Sequence, residues 1–147
     1  YADALDLAFE ALRDLASAAE KRGVIIAVEN VWNQFLLSPV EMRDLIDRLN
    51  SPFVQAYVDV GNILKFGFPQ DWINILGRRI VRIHLKDFKI AVGNLDGFCQ
   101  LGDGDADWAA VVAALQRHGY NGPLTYEGPG DLADISKRID RILAHAK

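Results

Sequence analysis

The sequence contains very little cysteine and histidine, with one Cys and three His among 147 residues. Cys99 cannot form a disulfide within the chain, because a disulfide needs a second cysteine. With no other thiol in the chain, Cys99 is expected to be a structural residue. A fold held together by disulfides is therefore excluded.

Positive charge is also scarce. The chain has 16 Lys and Arg against 20 Asp and Glu, which gives a formal net charge of −4 at pH 7. Binding to nucleic-acid phosphates requires concentrated Lys and Arg, so we expect no nucleic-acid partner. No apolar run approaches the roughly 18 residues that span a bilayer, and no signal peptide is recognisable. We therefore expect a cytoplasmic protein without a membrane partner.

The composition that remains is typical of a globular domain. Half of the residues are hydrophobic and 24% are charged, which excludes a disordered or fibrous chain. The length is sufficient for one ordinary domain with its own core. The sequence opens at Tyr1 in a helical pattern, without an initiator Met, so we expect it to be a piece of a longer protein.

Four short apolar segments each end in a residue that can bind a metal ion. Segments of this kind, rich in β-branched and small apolar residues, are typical of buried strands. A charged group at the end of such a strand is costly unless something there requires the charge. The segments and the residues that follow them are 24–28 with Glu29, 54–58 with Asp59, 80–83 with His84, and 124–126 with Glu127.

Amphipathic helices are predicted before the first strand and after each strand, because apolar residues recur there at helical spacing. One of them starts with a capping box, Ser38-Pro39-Val40-Glu41, with Pro at the first helical position. A helix followed by four strand–helix units predicts a parallel sheet. No G-x-G-x-x-G follows any strand, so an open dinucleotide-binding sheet gains no support.

The positions of the polar residues favour a (β/α)8 TIM barrel, in which functional residues lie at the C-terminal ends of several strands. Such barrels need about 250 residues, so residues 1–147 are expected to form a single partial barrel domain with four of the eight units. An isolated half would expose two strand edges and a large apolar face. We expect upstream residues, or a second copy in a homo-oligomer, to complete the barrel.

Glu29, Asp59, His84 and Glu127 form a donor set made mostly of oxygen. Such a set suits one hard or borderline divalent ion, Mn²⁺, Mg²⁺ or Co²⁺ before Zn²⁺. Without a cation, three converging carboxylates would repel one another. Taken singly, each acid could be a helix cap and His84 a structural histidine. Their shared placement on four successive strands favours the metal site.

Several motifs around these residues resemble the xylose isomerase-like TIM barrel superfamily, and within it the sugar or sugar-phosphate isomerase and epimerase branch that includes the ketose 3-epimerases. The resemblance covers essentially the whole chain, but only the C-terminal half of that family's barrel. It implies that Glu29, Asp59, His84 and Glu127 bind the metal and that Glu29 and Glu127 are the acid/base pair. The motifs are Val28-Glu29-Asn30, Val58-Asp59-Val60-Gly61-Asn62, Ile83-His84-Leu85-Lys86-Asp87, Gly102-Asp103-Gly104-Asp105-Ala106-Asp107-Trp108 and Thr125-Tyr126-Glu127-Gly128.

The chemistry of such a reaction agrees with this assignment. Moving a proton beside a ketose carbonyl passes through an enediolate, whose negative charge a divalent ion can stabilise. Epimerisation also requires a base on one face of the carbon and an acid on the other. Two carboxylates from separate strands, here Glu29 and Glu127, can fill these roles.

The candidate substrate-binding residues are Asn62, Lys86 and Trp32. Some 3-epimerases have a His three residues after the ligand Asp, where this chain has Asn62, and an Arg shortly after the ligand His, where this chain has Lys86 and Lys89. Asn62 and Lys86 could bind a hydroxyl or phosphate, and Lys89 is expected to be a solvated charge. Trp32 and the loop phenylalanines could form an apolar wall over a sugar or pack against one another.

We therefore predict a metal-dependent isomerase or epimerase of a small ketose or ketose phosphate. Aldose–ketose isomerisation shares the enediolate and remains open. Alternatives are a dehydratase of an inosose-like keto-polyol, which begins with the same proton abstraction, and a non-catalytic sugar-binding module. An endonuclease IV-like nuclease is disfavoured, because it needs several metals, more His and a basic surface.

Overall fold

The computed structural model describes residues 1–146, which form a helix followed by four strand–helix units. In chain order the elements are α1 (Ala2–Arg22), β1 (Ile26–Glu29), α2 (Pro39–Leu49), β2 (Val54–Asp59), α3 (Val60–Leu64), α4 (Pro69–Leu76), β3 (Ile80–Leu85), β4 (Asp87–Phe88), β5 (Phe98–Cys99), α5 (Trp108–Arg117), β6 (Leu124–Tyr126) and α6 (Leu132–Leu143). Short 3₁₀ turns lie at Gly77–Arg79, Leu95–Gly97 and Ala144–Ala146. The predicted order of elements is confirmed.

The main sheet is parallel, with strand order β1-β2-β3-β6. Neighbouring strands in space are therefore neighbours in sequence, apart from the small antiparallel pair β4–β5. The register places Glu29 beside Tyr57 and Asp59 beside His84. Because all four strands run in one direction, their C-terminal ends meet at one edge of the sheet.

The two faces of the sheet differ in burial, as the alternation of side chains along a strand requires. Residues that face the helices are buried, and they include Val54, Ala56, Val58, Ile83 and Leu85. On the opposite face, the fully buried Asp59 is an exception, and the other side chains of the same strands are half-buried or exposed; they include Gln55, Tyr57, Arg82 and His84. The sequence pattern predicts strands buried on both faces, whereas the described residues cover only one.

The helix boundaries follow the local signals in the sequence. Ser38 forms the predicted capping box, since its Oγ accepts from Glu41 N–H at 3.2 Å and its own N–H donates to Glu41 Oε2 at 3.0 Å. Asp107 accepts from Ala110 N–H at 2.9 Å at the start of α5. Gly23 ends α1 in the left-handed conformation that glycine adopts without strain, with φ of 63°.

Two elements of the structure are additional to the four predicted strand–helix units. The helix α3 begins directly after Asp59, whose side chain accepts from Asn62 N–H at 2.7 Å and so caps the helix. The long connection after β3 contains the β4–β5 pair and a 3₁₀ turn rather than irregular chain alone. Neither element has a hydrophobic pattern long enough to predict it. Within residues 1–146, no helix is long and apolar enough to cross a bilayer.

Candidate metal centre

Four predicted metal ligands meet at the C-terminal edge of the sheet. Glu29 and Asp59 are the last residues of β1 and β2, His84 lies near the end of β3, and Glu127 follows β6 directly. One ligand atom from each side chain lies within 4.8 Å of the corresponding atoms of the other three. The geometry thus brings together the residues that the sequence pattern predicts.

The imidazole of His84 lies at the centre of this cluster. Its Nδ1 is 2.8 Å from Glu29 Oε1, 3.3 Å from Glu127 Oε2 and 3.7 Å from Asp59 Oδ2. The ring also stacks on Tyr57, with 4.1 Å between ring centres and 38° between planes. Tyr57 lies on the neighbouring strand β2, on the same face of the sheet as His84, and its ring therefore restricts the orientation of the imidazole.

Asp59 has one carboxylate oxygen that the protein satisfies and one that it does not. The side chain is fully buried, and Oδ1 accepts from Asn62 N–H. Oδ2 is buried and has no hydrogen-bond partner among the described residues. Leaving a buried carboxylate oxygen without a partner is costly, so this atom is suited to bind a cation. The chemistry of the donor set fits a divalent cation there.

Burial raises the pKa of Asp59 to about 8, and the neighbouring carboxylate of Glu127 contributes to the rise. Burial would also raise the pKa of Glu127, but the adjacent Asp59 carboxyl group and the positive charge of Lys86 together lower it. The two carboxyl groups therefore differ: a proton is favoured on Asp59 and disfavoured on Glu127.

Lys86 extends from the end of β3 into the same cluster. Its ammonium lies 3.3 Å from Glu127 Oε2 and 3.9 Å from Asp59 Oδ2. It also lies 4.4 Å from the centre of the Phe98 ring. Of the three predicted substrate-binding residues, Lys86 is the one whose polar group faces the cluster.

Asn62 and Trp32 use their donor groups within the protein. Asn62 Nδ2 donates to the backbone oxygen of Asn30 at 3.0 Å, and Trp32 Nε1 donates to the backbone oxygen of Asn62 at 2.8 Å. The Trp32 ring packs against Phe66, Phe88 and Phe98, with ring centres 6.0, 5.2 and 5.0 Å away. Their contacts with a substrate remain predictions.

Two buried side chains that support the site were not singled out by the sequence pattern. Asn30 bonds through its amide to the backbone of Asp59. Asp87 is fully buried, and its carboxylate accepts four N–H groups, from the Trp108 indole at 3.1 Å and from the backbone of three residues of the long loop, Phe88, Gly102 and Ala106. Both residues lie within family motifs of the sequence, directly after β1 and near the end of β3, but the motifs alone assign them no role.

The four-stranded parallel sheet and this cluster are those of part of a (β/α)8 barrel, with a candidate metal centre at the C-terminal ends of the strands. The sequence matches the xylose isomerase-like TIM barrel family over residues 1–145, and the chain belongs to that family. The resemblance and the fold class predicted from the sequence are thus confirmed.

Known relatives include sugar-converting enzymes. The chain is 27% identical over 143 residues to an L-ribulose-5-phosphate 3-epimerase from Salmonella paratyphi C, covering 92% of this chain and 49% of the relative. It is 27% identical over 145 residues to an inosose dehydratase from Geobacillus thermodenitrificans, covering 87% and 48%. A solved D-tagatose 3-epimerase-like protein superimposes with a TM-score of 0.81 at 22% identity, covering 97% of this chain and 54% of that one.

These matches extend over about half of each relative. The chain therefore holds four consecutive strand–helix units of a TIM barrel, as the sequence predicts. The family of this chain is therefore the xylose isomerase-like TIM barrel family, and the activities named above are those of the relatives.

Proposed function

We propose that the protein containing this chain is a divalent-metal-dependent epimerase or isomerase of a small ketose or ketose phosphate. The observation that carries the proposal is the convergence of three carboxylates and one imidazole within 4.8 Å at the ends of four parallel strands. The similarity to an L-ribulose-5-phosphate 3-epimerase supports the class of substrate.

Glu29, Asp59, His84 and Glu127 would hold the ion, with Asp59 Oδ2 as the buried oxygen that still needs a partner. Mn²⁺, Mg²⁺ or Co²⁺ would suit this donor set. When bound, the ion would supply positive charge to offset the negative charge that develops on the substrate oxygens. Manganese is our first choice for experiments.

Glu29 and Glu127 are the proposed acid/base pair. Glu29 ends β1 and Glu127 follows β6, the two outermost strands of the described sheet, so they approach His84 from different sides of β3. A substrate carbon between them could lose a proton to one carboxylate and receive a proton from the other. Lys86, 3.3 Å from Glu127, would orient that carboxylate and contact a hydroxyl or phosphate.

Solvent deuterium exchange tests the reaction directly. The full-length protein is expected to incorporate deuterium at the carbon beside the carbonyl of a ketose or ketose phosphate, and Mn²⁺ is expected to increase the rate. Chelation should remove the exchange. Failure to detect exchange with any ketose, with or without Mn²⁺, would favour a non-catalytic sugar-binding module.

Glu127→Gln is expected to abolish exchange, because the amide cannot accept a proton, while the fold remains. Glu20→Gln, at the exposed end of α1, is the matched control and should exchange normally. Circular dichroism of both variants checks the fold. Unchanged exchange in Glu127→Gln would remove Glu127 from the mechanism.

Dehydration is the second candidate, favoured by the similarity to an inosose dehydratase. It would begin with the same proton abstraction but would expel a hydroxyl group as water. Mass spectrometry of the products distinguishes the two, since loss of water changes the substrate mass and epimerisation does not.

A further inference from the structure

Asn30 is the first residue after β1, and its side chain joins the ends of β1 and β2. It is 5% exposed. Its Oδ1 accepts from the backbone N–H of Asp59 at 2.8 Å, and its Nδ2 donates to the backbone oxygen of Asp59 at 3.0 Å. Both polar groups of the amide therefore bind one residue, which is itself a member of the candidate metal centre.

The geometry explains how the strand ends stay together. In a parallel pair, the N–H and C=O of one residue bond to the backbone of the neighbouring strand. For Asp59, the amide group of the Asn30 side chain takes the place of the backbone of the neighbouring strand. The main chain after β1 can then leave the sheet, while the end of β1 remains joined to the end of β2. Glu29 and Asp59 are held close together as a result.

Asn62 adds two further hydrogen bonds, one to Asn30 and one to Asp59. Its Nδ2 donates to the backbone oxygen of Asn30 at 3.0 Å, and its backbone N–H donates to Asp59 Oδ1. These bonds fix the backbone and one carboxylate oxygen of Asp59. The second oxygen, Oδ2, is left 3.7 Å from His84 Nδ1.

We infer that Asn30 is a positioning residue for the candidate metal centre: by bonding to the backbone of Asp59, it sets the separation of the Glu29 and Asp59 carboxylates. This inference rests on the proposed function, because it assigns Asn30 a role at the same site. Asn30 acts through Asp59 and is not proposed to bind the ion or the substrate.

Calorimetric titration of the full-length protein with Mn²⁺ tests the inference. Asn30→Ala removes both bonds, and its Kd for Mn²⁺ should rise about 10- to 100-fold, the usual effect of losing a group that orients a metal ligand. Asn30→Ser leaves a hydroxyl group and room for water, so its Kd should rise less. Asn33→Ala is the matched control, since the Asn33 side chain accepts from Phe35 N–H of its own loop at 3.0 Å and has no other side-chain bond within residues 1–146. Its Kd should be unchanged.

Urea denaturation of the same variants separates positioning from stability. A purely structural residue would lower the midpoint of unfolding without changing the Kd of the folded protein, and that result would overturn the inference. If Asn30→Ala does not fold, Asn30→Ser decides by the same criterion. Absence of Mn²⁺ binding by the unsubstituted protein would overturn the proposed function together with this inference, whereas normal binding by both Asn30 variants would overturn this inference alone.

Discussion

At the scale of single residues, Asp59 combines the most functions. It ends β2, caps α3 through Oδ1 and places Oδ2 among the other candidate ligands. A sequence pattern can predict that such a residue ends a strand. It cannot predict which of the two oxygens the protein satisfies, because that depends on Asn62 N–H and on burial by the whole fold.

Mn²⁺ affinity is expected to depend on pH through Asp59. Its pKa is raised to about 8, so below pH 8 the folded protein holds a proton that must leave before the carboxylate can bind a cation. Apparent affinity should therefore increase with pH, by at most about tenfold per unit, and level off above pH 8. Calorimetry in buffers of different ionisation enthalpy measures the proton release. Constant affinity between pH 6 and 8 would contradict this expectation.

Gly61 is required by close contact with Lys86. A Cβ at position 61 would lie 2.8 Å from Lys86 Cγ and 2.9 Å from its carbonyl carbon. Gly61→Ala should therefore shift Lys86 and the end of β3, at a cost of about 1–3 kcal/mol in unfolding free energy. Urea denaturation measures this cost. Gly67→Ala is the control, because a Cβ there would approach its nearest neighbour at an ordinary 3.5 Å.

At the scale of elements, the loop from β3 to α5 is organised by one carboxylate. Asp87 Oδ1 accepts from Phe88 and Ala106 N–H, and Oδ2 accepts from Gly102 N–H and Trp108 Nε1. The residues that these bonds join to Asp87 lie 1 to 21 positions away in the sequence. The sequence shows an acid after His84 and several glycines but not these pairings, because hydrogen bonds between distant residues leave no periodic pattern.

Asp87→Asn should loosen this loop. The amide keeps the shape of the carboxylate but replaces one acceptor oxygen with a donor, which leaves buried N–H groups without a partner at a cost of about 1–3 kcal/mol. Hydrogen exchange across residues 89–107 should accelerate, and the unfolding free energy should fall. Asp96→Asn, exposed on the same loop, is the control. Equal protection of the loop in both variants would show that Asp87 does not organise it.

The regular helices were predictable to a greater extent, because their signals are local. Ser38 and Glu41 form the capping box that their spacing predicts, and Gly23 and Asp107 lie at helix ends that suit their residue types. The short helix α3 was not predictable, since its five residues follow Asp59 without an apolar period. Its start depends on the Asp59 side chain, which only the folded structure places.

At the scale of the whole molecule, the described sheet has two free edges. β1 and β6 each pair with one neighbour only. All four residues of β1 are half-buried, and the adjacent Val24 and Ile25 are 56% and 47% exposed. Alternation of strands and helices predicted the parallel sheet, but the number of strands needed to close it came from the (β/α)8 barrel that the polar strand ends favour. Such a barrel predicts that further strands cover these edges.

Residues 1–147 expressed alone are expected to self-associate. Unpaired strand edges and exposed apolar residues favour pairing with another chain. Light scattering should give a mass above 16.3 kDa that increases with concentration. In the full-length protein further strands should pair with β1 and β6, so self-association through these two edges is not expected. A stable monomer of residues 1–147 at all concentrations would mean that the edges are protected without further strands.

All four candidate ligands lie at the C-terminal ends of neighbouring strands of the main sheet. The candidate metal centre is therefore encoded within one contiguous stretch, from Glu29 to Glu127. Recombination or gene fusion could exchange the polypeptide on the far side of the barrel while leaving the ion-binding geometry intact. If the proposed function holds, such an exchange would change the range of accepted sugars and preserve the proton chemistry.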